Sequence, residues 1–291
     1  MMRGPRNWSV AVRTPDGDIA HVSRTIDPLA TRHLLLRLPI VRGVVALGES
    51  LAIGFRALSV SANYAAVEEA EGDGEPAEIG RWALAFAFLV AIGFALMIFK
   101  VGPALLTDLL PISNGGWFVL VEGLVRVTVF VLYLTILSYI PSLRRVFQYH
   151  AAEHKAINAY EAGEELTPEN AQRYSLIHPR CGTAFLLWVM VVSVFVYALL
   201  GRPAWYWLIV SRIVLLPVIA GIAYELIRFA GKHADNRILM TILAPGLWLQ
   251  RLTTREPTLD MLEVSIRALR EVLEREGRLA EPADRRVEVM A

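Results

Sequence analysis

Two stretches of this chain, Trp82–Phe99 and Thr183–Leu200, each run 18 residues without a charged side chain. A helix of that length extends about 27 Å at 1.5 Å per residue, close to the hydrocarbon thickness of a bilayer. A core helix of a soluble domain keeps a polar side, and these runs have none. Two further segments, Gly116–Ile140 and Ala204 to about Phe229, are apolar apart from isolated charges. With 55% hydrophobic residues and a mean hydropathy of +0.45 over 291 residues, the sequence reads as a mainly α protein: a four-span transmembrane helix bundle. Pro217 predicts a kink in the fourth span.

Lys and Arg near the spans set the orientation. Residues 100–115 carry only Lys100 and residues 201–203 only Arg202, whereas 142–182 carries Arg144, Arg145, Lys155, Arg173 and Arg180. Nine Arg precede or include Arg81, and Arg228, Lys232 and Arg237 follow the last span. This asymmetry predicts a multi-pass protein of the bacterial cytoplasmic (inner) membrane with both termini cytoplasmic. Trp117, Trp205 and Trp207 then mark the outer interface. The polar start, Met1 to Asp18, does not resemble a cleavable signal, so the first span is expected to direct insertion.

The segments outside the spans divide as follows. Residues 1–32 form a cytoplasmic β element, with a hairpin from Ser9–Thr14 through Pro15-Asp16-Gly17-Asp18 to Ile19–Val22. Residues 33–63 carry Arg42, Glu49 and Arg56 seven apart, the polar stripe of an amphipathic interfacial helix, with a re-entrant segment as the alternative. A solvated linker, 64–81, leads to spans one and two (82–141). The cytoplasmic loop 142–182 and spans three and four (183–230) follow. In 231–291, Pro245–Leu249 suggests an interfacial turn before a short helix, and Leu259, Leu262, Ile266, Leu269 and Leu273 predict a soluble amphipathic helix. A disordered tail is expected from 277.

The central loop holds three of the six histidines. His150-Ala151-Ala152-Glu153-His154 is an H-x-x-E-H pattern. On a helix the two imidazoles share a face with Glu153 beside them, the inverted zincin arrangement in which Glu serves as general base on a water activated by zinc. His178 and Cys181 lie three apart at the start of the third span, and all four together offer N and S donors suited to zinc. Glu225, near the cytoplasmic end of the fourth span, is a further candidate ligand, as are Glu161 and Glu164. The bland alternative is that these are polar residues hydrogen-bonding loop to spans, with Cys181 a small buried residue.

A second constellation lies within the spans. Glu122 and Arg126 are i, i+4 on the second span, and Arg212 sits at similar depth on the fourth. Isolated charges at that depth are unfavourable, so an ion-paired cluster is expected, either as interhelical glue or as an ion path.

The run Arg145–Lys155 (RVFQYHAAEHK), His178–Gly182 (HPRCG), Pro245–Pro257 (PGLWLQRLTTREP) and Met2–Pro5 (MRGP) resemble the YqhQ-like family of bacterial membrane proteins. The resemblance covers nearly the whole chain. It implies a membrane location and a metal, since members are described as predicted metal-dependent enzymes of unknown function. The family carries a glycine-rich segment before the Met-Arg-Gly stretch, which this sequence does not show, and often Gly where Ala151 stands.

Three functions are consistent with this reading. The first is a metal-dependent hydrolase with its site at the cytoplasmic membrane boundary. Its metal, zinc, would sit on His150 and His154 with His178, Cys181 or Glu225, Glu153 would be the base, and a lipid-linked or membrane-proximal substrate would be acted on. If His178 and Cys181 both join the histidines, the shell closes and the metal is structural. The second is a scaffold with such a structural metal, binding a protein partner through the helix 258–276. The third is a small transporter, a homo-oligomer, using Glu122, Arg126 and Arg212. A net charge of +1 offers no field for nucleic acid, and a single cysteine excludes an intrachain disulfide.

Overall fold

A computed structural model describes residues 1–29, 33–70, 81–201, 204–233 and 236–277. Most of the expected linker (71–80), Arg202 and the tail from 278 lie outside the described residues.

The chain opens with a three-stranded antiparallel sheet, β1 (Met2–Arg3), β2 (Asn7–Arg13) and β3 (Ile19–Thr25). The hairpin pairs Val10 with Val22 and Arg13 with Ile19. Gly17 sits at φ +89°, a conformation that an L side chain rarely adopts, which is what the turn requires of a glycine. β1 is too short to show an alternating pattern. Alternation along β2 gives the sheet two apolar faces. Trp8 and Val10 pack with Ile53 and Ala57, while Met2 and Ala11 join a second cluster around Leu262 and Leu269.

After a 3-10 turn at Leu34–Arg37, one helix, α1, runs Val41–Ala70. It therefore continues past residue 64, where the sequence predicts a linker. Two charges of its stripe are paired within the chain, Glu49 with Arg3 at 3.0 Å and Arg42 with Glu225. α1 meets the last apolar helix closely: a Cβ at Gly221 would lie 2.6 Å from the Ile40 carbonyl oxygen.

α2 (Arg81–Leu96) passes through a π-turn at Met97–Val101 into α3 (Gly102–Asp108). The expected outer loop thus begins later than residue 100, and Lys100 is buried in the π-turn instead of lying in a loop. α4 (Gly115–Tyr139) is capped by Asn114, whose side chain accepts from Gly116 N at 2.9 Å and Trp117 N at 3.2 Å. Ile140 ends it, and Pro141 starts α5 (Pro141–Glu161), followed by α6 (Pro168–Gln172). Most of the expected central loop is therefore helical, because Phe147–Tyr160 has no helix breaker.

α7 (Gly182–Ala198), α8 (Trp205–Val214) and α9 (Leu216–Lys232) complete the apolar set. α8 and α9 meet at a 44° bend, with Pro217 in the first turn of α9. α10 (Arg237–Thr253) is one helix with Pro245 inside it, not a turn and short helix. Its Gly246 lies against Ala184 and Trp188 of α7. α11 (Leu259–Arg275) buries Leu262, Leu269 and Leu273 against α5 and the sheet, so its apolar face is covered within the chain.

Three helical stretches are long and apolar enough to cross a membrane, Val41–Tyr64, Ala85–Asp108 and Gly115–Tyr139, or four if the bent α8–α9 pair is one span. This set differs from the expected one: α1 meets the criterion, and α7, at 17 residues, is shorter than the segment read from sequence. Phe86, Leu89, Phe94, Leu124, Ile136 and Phe195 point outward and are largely exposed. Such a belt has no partner in water and suits lipid.

Candidate metal centre

His150 and His154 are one turn apart on α5, with ring centroids at 4.4 Å. Beyond α6 the chain returns along α5, and α5 side chains satisfy its carbonyls. Lys155 Nζ donates to Gln172 O at 2.6 Å and Tyr174 O at 2.9 Å. Asn158 Nδ2 donates to Ser175 O at 2.9 Å and Ile177 O at 3.2 Å. Gln250 of α10 then grips His178: its Oε1 accepts from His178 N at 2.9 Å and its Nε2 donates to His178 O at 2.8 Å. These bonds bring Cys181, the N-cap of α7, back onto α5.

The result is a buried group of three. The ligand atoms of His150, His154 and Cys181 all lie within 4.8 Å of one another, the metal-type cluster among the described residues. Each histidine has its Nδ1 on a backbone carbonyl, His150 on Thr253 O at 2.9 Å and His154 on Leu176 O at 2.6 Å. A carbonyl only accepts, so both Nδ1 atoms carry the proton and both Nε2 atoms face the thiol. His150 Nε2 is 3.2 Å from Cys181 Sγ. His154 Nε2 is buried and has no hydrogen-bond partner among the described residues.

An imidazole oriented by a carbonyl through one nitrogen, with the other nitrogen unsatisfied, is how metal-binding histidines are held. A tetrahedral zinc shell has ligand atoms about 3.5 Å apart. Small side-chain movements bring the three atoms to that spacing, so the residues fit the metal.

The electrostatics are those of a thiolate site. Burial pushes the Cys181 thiol up, but the hydrogen bond from His150 and the nearby His154 outweigh it and hold the thiol well below its ordinary value. Burial draws His150 down, and Cys181 with the Thr253 carbonyl reverses this, raising it to about 9. Thr183 Oγ1 is a further neighbour of the sulfur at 3.1 Å.

The remaining predicted residues are not all brought to this group. Burial and the nearby His154 lower His178 to about 4, so it is neutral. Its Nδ1 accepts from Arg180 N at 3.4 Å and its Nε2 lies 3.4 Å from Glu161 Oε2. A neutral ring makes the latter a long hydrogen bond, not an ion pair, and Glu161 pairs instead with Arg180. Glu225 is held by Arg42. Glu153 pairs with the amine of Met1 and lies within electrostatic range of His150. In the apolar bundle the structure brings Glu122, Arg126 and Arg212 together: Arg212 Nε donates to Glu122 Oε1 at 2.8 Å, and both guanidinium groups pair with that carboxylate.

Sequence reasoning missed Gln250, Lys155 and the carbonyls of Leu176 and Thr253 as supports, whereas Asn158 reads from sequence as a residue serving loop structure, which its bonds to Ser175 O and Ile177 O bear out. Gln250 lies in the PGLWLQRLT run, a signal of kinship but not of contact with His178.

A family model described as "Protein of unknown function (DUF1385)" matches residues 38–275. The chain belongs to this family. It is 32% identical over 286 residues to the uncharacterized protein YqhQ of Bacillus subtilis (strain 168), covering 95% of this chain and 90% of that protein. The matched region of the family contains the three clustered residues and Gln250. No solved structure matches the chain.

Proposed function

We propose that the protein is an integral membrane, metal-dependent enzyme of hydrolase type, with zinc held by His150, His154 and Cys181. The observation that carries this reading is the buried, unpartnered Nε2 of His154, which faces Cys181 beside the oriented His150. A buried nitrogen lone pair without a donor is unfavourable, and a cation satisfies it.

Three protein ligands leave a shell open, and His178, engaged by Arg180 and Glu161, does not close it. An open shell favours catalysis over a structural staple. Zinc in such a shell supplies Lewis acidity to an acyl or phosphoryl oxygen and lowers the pKa of water. Glu153 is one helical residue from His154 and partly exposed. It accepts and holds the proton released when water attacks. Lys155, Asn158 and Gln250 keep the site rigid, and burial of the cluster excludes bulk water.

Packing supports a location as well. His150 lies ten residues beyond Ile140, where the apolar α4 ends, and Cys181 caps the apolar α7. This supports a site at the membrane boundary, and with it a lipid-linked or membrane-proximal substrate. The sheet, α5 and α11 share one core, which supports both termini lying on the same side. With the Lys and Arg distribution, that side is the cytoplasm of a bacterial inner membrane. α1 presents Ile53 and Ala57 to Trp8 and Val10 of the N-terminal sheet, which supports its lying along the interface.

Metal content of the detergent-purified protein, measured by mass spectrometry, tests the reading. About one zinc per chain is expected in wild type, lost in His150→Ala/His154→Ala, reduced in Cys181→Ala and unchanged in Glu225→Ala. Wild-type protein that holds no metal after zinc is added back would remove the proposal.

A further inference from the structure

The charge cluster inside the bundle does not balance. Lys100, Glu122, Arg126 and Arg212 are each at least nine-tenths buried. Both Glu122 oxygens are taken by the two arginines. Arg126 also donates to Ser193 Oγ at 2.6 Å, and the Tyr197 ring lies 3.9 Å from the Arg212 guanidinium carbon. Lys100 is within electrostatic range of Arg126, Glu122 and Arg212. Its Nζ is buried without a hydrogen-bond partner among the described residues, and so is Arg126 Nε. Three basic side chains thus face one carboxylate; the two arginines alone leave one positive charge over, and donors are left unused on Lys100 and Arg126. Apolar surroundings do not tolerate such an excess without a counter-charge.

The backbone is irregular at the same place. Lys100 lies inside the π-turn, which packs against α4 and α8, and Arg212 precedes the α8–α9 break by three residues. π-turns and broken spans recur where membrane proteins hold small ions.

We propose that Lys100 and Arg126, beside Arg212, form a binding site for a small monovalent inorganic anion of the chloride type within the helix bundle. The Lys100 ammonium is the principal donor, because the guanidinium groups are already committed to Glu122. The anion neutralises the excess positive charge and ties the π-turn to α4 and α8. The helices pack tightly beside the cluster, where a Cβ added at Gly123 would clash with Val194, which argues against an organic anion. The site stands apart from the metal centre, and neither depends on the other.

The test uses the full chain in nanodiscs, with gluconate exchanged for chloride at constant ionic strength. Wild type is expected to show a saturable rise in thermal midpoint with chloride. Lys100→Met is expected to lose that rise, to be more stable than wild type in gluconate, and to keep its zinc. A wild-type midpoint indifferent to chloride overturns the proposal, as does a Lys100→Met protein that responds to chloride as wild type does. Should Lys100→Met not fold, chlorine NMR on wild type decides: broadening that saturates and is displaced by bromide supports the site, and its lack overturns it.

Discussion

Gln250→Met isolates the support of the proposed metal centre from its proposed ligands. Methionine keeps the side-chain length and the helix propensity of glutamine and removes both polar atoms. Gln250 is fully buried, and its two bonds, 2.9 and 2.8 Å, satisfy the backbone N–H and C=O of His178. Each orphaned buried group costs about 1–3 kcal/mol, so the pair costs about 2–6 kcal/mol. At about 2–4 °C per kcal/mol, the lower bound is a fall of about 4–8 °C in thermal midpoint. The same loosening frees residues 178–181, which carry Cys181, and metal affinity falls by about 10–100-fold, as for other supports of metal ligands. Competition with a zinc chelator, read beside thermal unfolding, measures both. A Gln250→Met protein with wild-type affinity and midpoint refutes the claim that this grip positions the cysteine.

Two further predictions concern charge and packing. In metal-free protein the depressed Cys181 thiol stabilises the fold above its unfolded pKa and loses that contribution as pH falls through its folded one. The raised His150 stabilises it below 6.5 and loses that contribution as pH rises through about 9. The two contributions offset each other between 6.5 and about 9, where the folded and unfolded pairs bind the same number of protons, so metal-free wild type keeps thiolate ultraviolet absorbance at neutral pH and loses thermal stability from this pair as pH falls below 6.5. In His150→Ala the absorbance shifts toward the ordinary thiol range near about pH 8.5, and the same range in wild type would contradict the pairing. Gly221→Ala forces a methyl to 2.6 Å from the Ile40 carbonyl oxygen, an overpacking cost of about 1–3 kcal/mol. Gly48→Ala, on α1, meets nothing within 4 Å and is expected to stabilise by about 0.5–1 kcal/mol; unfolding midpoints of the two variants in one detergent compare them.

Membrane character was legible in the sequence because it depends on composition along the chain: a run such as Trp82–Phe99 has no charge to place in water wherever it packs. The hairpin around Gly17 and the amphipathic α11 were legible for the same reason, since period and turn chemistry are local. Element limits were less so. Lys100 reads as the start of a loop because an unpaired lysine is unfavourable in a span, yet the π-turn keeps it inside. Pro245 reads as a turn, yet its helix continues against α7.

The spacing of His150 and His154 on one helix face follows from 3.6 residues per turn, so the sequence by itself determined that pair. Which of His178, Cys181 and Glu225 joins them depended on contacts between distant segments. Lys155, Asn158 and Gln250 satisfy the backbone of the returning chain, and that register turns Cys181 toward the pair while His178 turns to Glu161. Arg42, 183 positions away, takes Glu225. Only the tertiary structure decided these choices, because a buried polar group is settled by whichever partner packing brings within hydrogen-bond reach, and sequence separation does not encode that distance.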